Sequence, residues 1–295
     1  MLHRLAPLLL ACLFSVSMAA QCSKDNDHRE SKTGGVLIKD FTITGTQTLT
    51  SDQLARITGE LTGRCFNDDS EEMSERIRAS FQNRGYFAVE VKSVRFKPLD
   101  PIGVPKPVVM EADVSEGLRY KLAEISFTDN HAFPAEKLRD AFPLKTADTF
   151  ERERIARGLE SVRKLYSTAG YIDVMMIPAT TFGSNGTVSL SINVVEGPQY
   201  HMGKLEILAQ RELAARLQAQ WKLAEGDAYD LSYLDRYLQA NQMLLPANFT
   251  RTNVAEFEDC PNAQVLLRIV IDPDLEKTTA PRRNIPCEDE KDKQK

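Results

Sequence analysis

Val194-Val195-Glu196-Gly197-Pro198-Gln199-Tyr200 repeats, 80 positions on, the pattern of Val114-Ser115-Glu116-Gly117-Leu118-Arg119-Tyr120. A second phrase recurs with it: Arg84-Gly85-Tyr86-Phe87-x-Val89 matches Ala169-Gly170-Tyr171-Ile172-x-Val174, 85 positions on. A third, Asp40-Phe41-Thr42-Ile43-Thr44, matches Glu124-Ile125-Ser126-Phe127-Thr128. The same three phrases in the same order define a unit of about 80 residues, too long for a solenoid repeat and suited to a small domain.

The hydrophobic period parses the second copy most cleanly. Residues 120–128 read as a strand with Leu122, Ile125 and Phe127 as apolar members. A short helix is expected over about 134–142, Pro134 being acceptable in a first helical turn. Asp148-x-x-Glu151 reads as a capping box for a second helix, in which Ile155, Leu159, Val162 and Tyr166 recur at helical spacing. Gly170 ends that helix, because glycine enters the left-handed region at little cost. Ile172, Val174 and Met176 alternate as a strand that stops at Pro178, and Gly183-Ser184-Asn185-Gly186 is a turn cluster. Val188, Leu190, Ile192 and Val194 then alternate through a last strand. The predicted order is β-α-α-β-β.

The first copy repeats it. Thr50-x-x-Gln53 opens one helix and Asp69-x-x-Glu72 the next, with Met73, Ile77 and Phe81 as the buried stripe and Gly85 at its end. Phe87, Val89 and Val91 keep one strand parity while Val94 and Phe96 take the other, which a bulge near Lys92-Ser93 reconciles. Val108, Met110, Ala112 and Val114 form the last strand. The third copy is degenerate: a short strand over 204–208, a helix over 212–221, a stripe of Leu231, Leu234 and Leu238, and a final strand carrying Val265, Leu267, Ile269 and Ile271. Its second helix ends at Leu245-Pro246 instead of a glycine.

Composition narrows the function classes. Lys and Arg number 37 against 42 Asp and Glu, a net charge of −5 that lacks the basic footprint of a nucleic-acid binder. The N-terminus reads as an export signal over residues 1–20: Arg4, an apolar run over 5–16, then Ser17-x-Ala19 for cleavage. Twelve apolar residues fall short of the roughly 20 that span a bilayer. Leu9-Leu10-Ala11-Cys12 offers a lipobox after too short an apolar stretch, and Gln21 before Cys22 is too large for one. Cleavage leaves Cys22, Cys65, Cys260 and Cys287. Without C-x-x-C spacing, and with His28, His131 and His201 as the remaining histidines, disulfides are the reading rather than a metal site, Cys22–Cys65 and Cys260–Cys287 being the local pairings.

No G-x-S-x-G, H-E-x-x-H or Walker pattern is present, so neither an enzyme nor a cofactor is expected. His131 sits in a loop; Asp68-Asp69-Ser70-Glu71-Glu72 lies at a helix start, where acidic residues stabilise the dipole. Asn185-Gly186-Thr187 and Asn248-Phe249-Thr250 match the glycosylation sequon but read as a hairpin turn and a chance match.

The repeat resembles POTRA domains, the polypeptide-transport-associated modules of bacterial outer-membrane assembly factors of the BamA and TamA type. It does so through Ile125-x-Phe127-x-Asp129-Asn130, Ala147-Asp148-x-Phe150, Tyr166-x-x-x-Gly170-Tyr171 and Val194-x-Glu196-Gly197-x-x-Tyr200. The resemblance implies an α+β chain of three tandem modules, each a three-stranded sheet covered by two helices: residues 35–119, 120–199 and, degenerate, 200–273. A flexible charged tail would follow over 274–295, the alternative being that residues 288–295 are a peptide that docks elsewhere. The family's usual membrane β-barrel does not fit in the 23 residues after Asp272.

The same resemblance implies a periplasmic, non-catalytic scaffold or chaperone-like adaptor in outer-membrane protein assembly or transport, either free in the periplasm or associated with the outer membrane. Its partners would be extended outer-membrane polypeptides or a separate barrel protein, with no nucleic acid and no membrane span of its own. Strand addition at each module's second strand would bind them. That places the candidate edge at Phe87, Ala88, Val89, Glu90 and Val91, at Ile172, Asp173, Val174, Met175 and Met176, and in the third copy over 249–254. The alternative is a structural connector in a periplasmic or cell-division complex, using the module junctions where Tyr120 and Tyr200 sit.

Overall fold

The computed structural model describes residues 35–66, 69–100, 102 and 105–286. The signal segment, Cys22, His28, Asp68 and Cys287 lie outside the described residues. The chain divides into two compact units, Met1–Tyr120 and Lys121–Lys295.

The first unit holds β1 (Val36–Thr44), α1 (Ser51–Gly59), β2 (Cys65–Phe66), α2 (Ser70–Gln82), β3 (Glu90–Pro98) and β4 (Lys106–Ser115). Its sheet runs β2-β1-β4-β3, four strands where three were expected, because the short β2 pairs with the start of β1. The second unit holds two sheets. One is built from β5 (Lys121–Thr128), β6 (Met175–Phe182) and β7 (Thr187–Val195), under α3 (Ala135–Asp140) and α4 (Arg152–Ser167). The other is built from β8 (His201–Leu208), β9 (Val254–Asp259) and β10 (Gln264–Val270), with α5 (Arg211–Gln220), α6 (Tyr233–Ala240) and α7 (Pro273–Lys277).

In every module the last strand is central. It pairs antiparallel with its hairpin partner and parallel with the module's first strand, giving the orders β5-β7-β6 and β8-β10-β9. That strand is therefore covered on both sides, and its alternating residues are the most buried: Val188, Leu190, Ile192 and Val194 are at most 1% exposed. Met73, Ile77 and Phe81 from α2 are fully buried against the first sheet. Burying each such side chain is worth about 1.5–3 kcal/mol.

Local signals set the element ends. Thr50 and Gln53 form the expected capping box, and Asp69 accepts hydrogen bonds from the backbone N–H groups of Glu71 and Glu72. The bulge foreseen in β3 falls between Val91 and Ser93. Three further bulges were not foreseen: the first strand of each module slips register, between Ile38 and Asp40, Leu122 and Glu124, and Met202 and Leu205.

The slip between Leu122 and Glu124 explains why Asp148 does not cap α4. The loop between the helices is hydrogen-bonded to the residue before the slip: Leu122 N–H donates to the Asp148 carbonyl, and Ala147 N–H to the Leu122 carbonyl, at 2.9 and 2.8 Å. The chain is thus held extended through Glu151, which becomes the residue before α4. The Asp148 carboxylate instead accepts from Lys145 N–H and pairs with Arg154, which together hold it below the usual carboxylate range. The same clasp joins Met202 to Gly226 and Asp227, and Ile38 to Gly63 and Arg64. Its turn residue has positive φ each time: Gly63 at 80°, Ala147 at 71°, Gly226 at 90°.

Other expectations shift by smaller steps. In α4 the fully buried positions are Gly158, Val162 and Tyr166, because the Phe142 ring lies where a Cβ on Gly158 would stand, 2.2 Å away. Leu231 precedes α6 and is 42% exposed, so Leu234 and Tyr237 carry that helix's buried face. The expectation of a flexible tail from 274 fails for the described part: α7 is followed by residues that return to the third sheet, with Ile285 bridged to Asp259.

The repeated Glu-Gly-x-x-Tyr phrase is a lock. Glu196 Oε1 accepts from Ala132 N–H and from the Tyr166 hydroxyl, both at 2.8 Å. Gly197 turns at φ 71° against Asp173, and Tyr200 N–H donates to the Gly170 carbonyl at 2.8 Å. In the first unit Glu116 accepts from Thr48 N–H at 2.5 Å, Gly117 turns at φ 67° against Ala88, and Tyr120 N–H donates to Gly85 at 2.8 Å. Phe81 stands there where Tyr166 stands in the second, and Glu116 Oε2 is buried without a hydrogen-bond partner among the described residues.

Phe81→Tyr should therefore raise the stability of the first unit by about 1 kcal/mol, and Tyr166→Phe should lower that of the second by about 1–2 kcal/mol, both read as shifts in urea midpoint at constant slope. Gly170→Ala combines φ +94° with a Cβ 2.5 Å from the Tyr200 carbonyl and should cost about 2 kcal/mol or more. Gly59→Ala, in α1 with nothing within 4 Å, should gain up to about 1 kcal/mol in the same assay.

Candidate functional site

Each sheet ends on the first strand of its closing hairpin: β3, β6 and β9 have a neighbour on one side alone among the described residues, apart from the bridge between Asp259 and Ile285. The edges start later than the alternation suggested. Phe87 and Ala88, and Ile172 and Asp173, form turns, and Val89 and Val174 follow them as buried, non-strand residues. The cause is the lock, since the two turns pack beneath Gly117 and Gly197 before pairing begins at Glu90 with Ser115 and at Met175 with Val195. Of the ten residues placed on edges from the sequence, Glu90, Val91, Met175 and Met176 lie in strands. In the third module the strand is Val254–Asp259, so residues 249–253 precede it and include a short helical turn at Arg251–Asn253.

Nor does the second edge stop at Pro178. It continues to Phe182, paired throughout with β7, because an edge strand tolerates a residue with no backbone donor.

The three edges differ in chemistry. β3 carries exposed Lys92, Arg95 and Lys97, the last ion-paired with Glu111 at 2.5 Å. Charges on an edge discourage strand pairing. β6 reads Met-Met-Ile-Pro-Ala-Thr-Thr-Phe with no charged residue, and Met175 and Ile177 are 57% and 55% exposed. Val195, opposite Met175, adds to the same apolar face. β9 carries Glu256, Glu258 and Asp259.

Asp173 has another role. Its carboxylate takes the hydrogen bond of the Tyr200 hydroxyl, and burial together with that charge pushes Tyr200 up to about 12. Burial, then the charges of Asp173 and Glu256, raise Glu258. Around these groups the second and third modules are joined by fixed contacts: Tyr200 to Gly170, Gln199 Nε2 to the Ala169 carbonyl at 2.9 Å, and Leu231 N–H to the Ser167 carbonyl at 3.2 Å. Ile172, expected on the edge, packs against the core of the third module. Of these residues Tyr200 is marked as a junction residue by its repeated phrase, whereas Ser167, Ile172 and Leu231 are brought to it only by the fold.

Cys65 begins β2, and Cys260 follows β9. His131 lies in the loop before α3, and Asn185 forms the hairpin turn, accepting from Thr187 N–H. Among the described residues no group of three or more His, Cys, Asp and Glu side chains is placed to hold a metal ion, and no helix is long and apolar enough to cross a membrane.

The pattern of the family described as POTRA, surface antigen variable number repeat, matches residues 36–117 and 120–197. A Treponema pallidum (strain Nichols) protein, named provisionally as an outer membrane protein assembly factor, is 24% identical over 178 residues. The match takes in 56% of this chain and 20% of that protein's length. The crystal structure of POTRA domains 3–5 of BamA from Haemophilus influenzae superposes with a TM-score of 0.57 at 18% identity, covering 81% of this chain and 99% of that one. With more than half of its length matched by the family pattern, and a fold shared with tandem POTRA modules, the chain belongs to the POTRA family.

Proposed function

We propose that this chain is a periplasmic, non-catalytic scaffold that holds extended polypeptide segments by strand addition, in the service of outer-membrane protein assembly. The observation that carries the reading is β6: an edge of eight residues without a charge, whose apolar side chains stand in solvent. An arriving strand gains main-chain hydrogen bonds there with little demand on its sequence, and Met175, Ile177 and Val195 offer it apolar contact. The name of the Treponema pallidum relative supports the assignment to outer-membrane assembly. β3 is a second, weaker edge, since Lys92, Arg95 and Lys97 select against neutral or cationic strands.

The reading takes the modules as residues 35–119, 120–199 and 200–273, behind an export signal over 1–20. It also takes the pairings Cys22–Cys65 and Cys260–Cys287, which suit an oxidising compartment and are supported by Cys65 and Cys260 each being disulfide-bonded. The fixed contacts between the second and third modules suit a scaffold that presents its edges at set positions.

The test is the Met175→Lys, Ile177→Lys double variant of the full chain. Both side chains are more than half exposed, so the far-ultraviolet spectrum should stay that of the wild type. Binding of a ten-residue peptide alternating apolar and polar residues, the pattern of an outer-membrane strand, should fall at least tenfold. Undiminished binding by the folded variant would remove β6 from the account.

A further inference from the structure

The third module's edge is already occupied. After α7 the chain turns back, and Ile285 forms a parallel bridge with Asp259 on the outer side of β9. Ile285 N–H donates to the Glu258 carbonyl at 2.8 Å, Cys260 N–H donates to the Ile285 carbonyl at 3.0 Å, and Glu258 N–H donates to Asn284 Oδ1 at 3.2 Å. Three outward backbone groups of the edge are thereby paired by the chain's own residues.

The segment also reaches across the sheet. Arg268 on β10, 4% exposed, lies over the Phe257 ring of β9 and donates through Nε and Nη2 to Glu206 Oε2 on β8 at 3.0 and 2.9 Å. Arg282 donates to both oxygens of the same carboxylate, at 2.5 and 3.2 Å, and Arg268 Nη2 donates to the Ala280 carbonyl at 2.9 Å.

We infer that residues 280–285 are a tethered ligand, and that the outer edge of β9 with the Glu206–Arg268 pair is a docking site for an extended polypeptide carrying an arginine three residues before an apolar residue. Two features make the ligand displaceable. Residues 283–286 are exposed and Ile285 keeps 46% of its surface, so docking buries little apolar area and rests on a few polar contacts. When Arg282 leaves, Glu206 keeps Arg268, so departure strands no buried charge. Arg282 first, and Arg268 after it, hold Glu206 down at about 2, so the anchor stays ionised at any ordinary pH and release follows from competition rather than protonation. The site would then be closed until a better-matched segment arrives.

The inference extends the strand-addition reading to a third edge but is tested with the chain's own segment, so its failure leaves the β6 edge untouched. The full chain is compared with its Arg282→Glu, Ile285→Pro double variant, which sets a like charge against Glu206 and removes the donor to Glu258. Both are kept under reducing agent so that no disulfide at Cys260 tethers the segment. The probe is a fluorescent peptide of residues 278–290 with serine in place of Cys287. The variant should bind it at least tenfold more tightly than the wild type, its Cys260 amide should exchange hydrogen at least tenfold faster without peptide, and a peptide with glutamate in place of Arg282 should bind neither protein. Equal binding of the probe by both proteins, or no binding by the folded variant, would overturn the inference. So would loss of the third module's fold in the variant, since the segment would then be part of the core and not a ligand.

Discussion

One backbone hydrogen bond closes each lock: the N–H of the tyrosine closing Glu-Gly-x-x-Tyr donates to the carbonyl of the glycine that ends the preceding helix, Tyr120 to Gly85 and Tyr200 to Gly170. The glycine is at positive φ, where a side chain would strain the backbone, and at Gly170 a Cβ would also collide with Tyr200 itself. The glutamate of the same phrase reaches back to the loop after the first strand, so one seven-residue stretch ties together the start, middle and end of a module. The late start of β3 and β6 follows from it, because the residues after the helix must first turn beneath Gly117 and Gly197.

That lock also decides what the sheets can offer a partner. The last strand is held in the centre, so an edge falls to its hairpin partner, β3, β6 or β9, and what distinguishes the modules is how that edge is dressed. The first carries cations, the second is apolar and uncharged, and the third is paired by the chain's own C-terminal residues. On the proposed function, a set of edges with different guards would let one chain discriminate between segments by charge and pattern.

Much of this was legible in the sequence where the signal is local. Thr50 with Gln53, Asp69 ahead of Glu71 and Glu72, and the change of parity between Val91 and Val94 each announce one hydrogen-bonding arrangement, and each is observed. The repeat disclosed the fold because it preserves the lock. The bulges of the first strands have a sequence signal of their own: Leu122 and Ile125 are three apart, as are Ile38 and Phe41, and an odd step between buried strand residues requires a slip. The role of Asp148 was not legible, since its bonding to Lys145 and Arg154 depends on the loop being clasped to β5. The docked C-terminal segment was hidden for a different reason: it is charged and rich in proline, which reads as disorder unless Glu206, 76 residues earlier, is known to be waiting for Arg282.

The central claim is that the edge strands, rather than the helices or the junctions, receive extended polypeptide. Hydrogen exchange of the full chain with and without an alternating strand peptide tests it residue by residue. The account predicts new amide protection within Met175–Phe182, lesser protection within Glu90–Pro98, and none in α1 to α6. Protection gathered instead on the helices, or at Gly170, Tyr200 and Leu231, would contradict it and turn the chain into a connector read through its junctions.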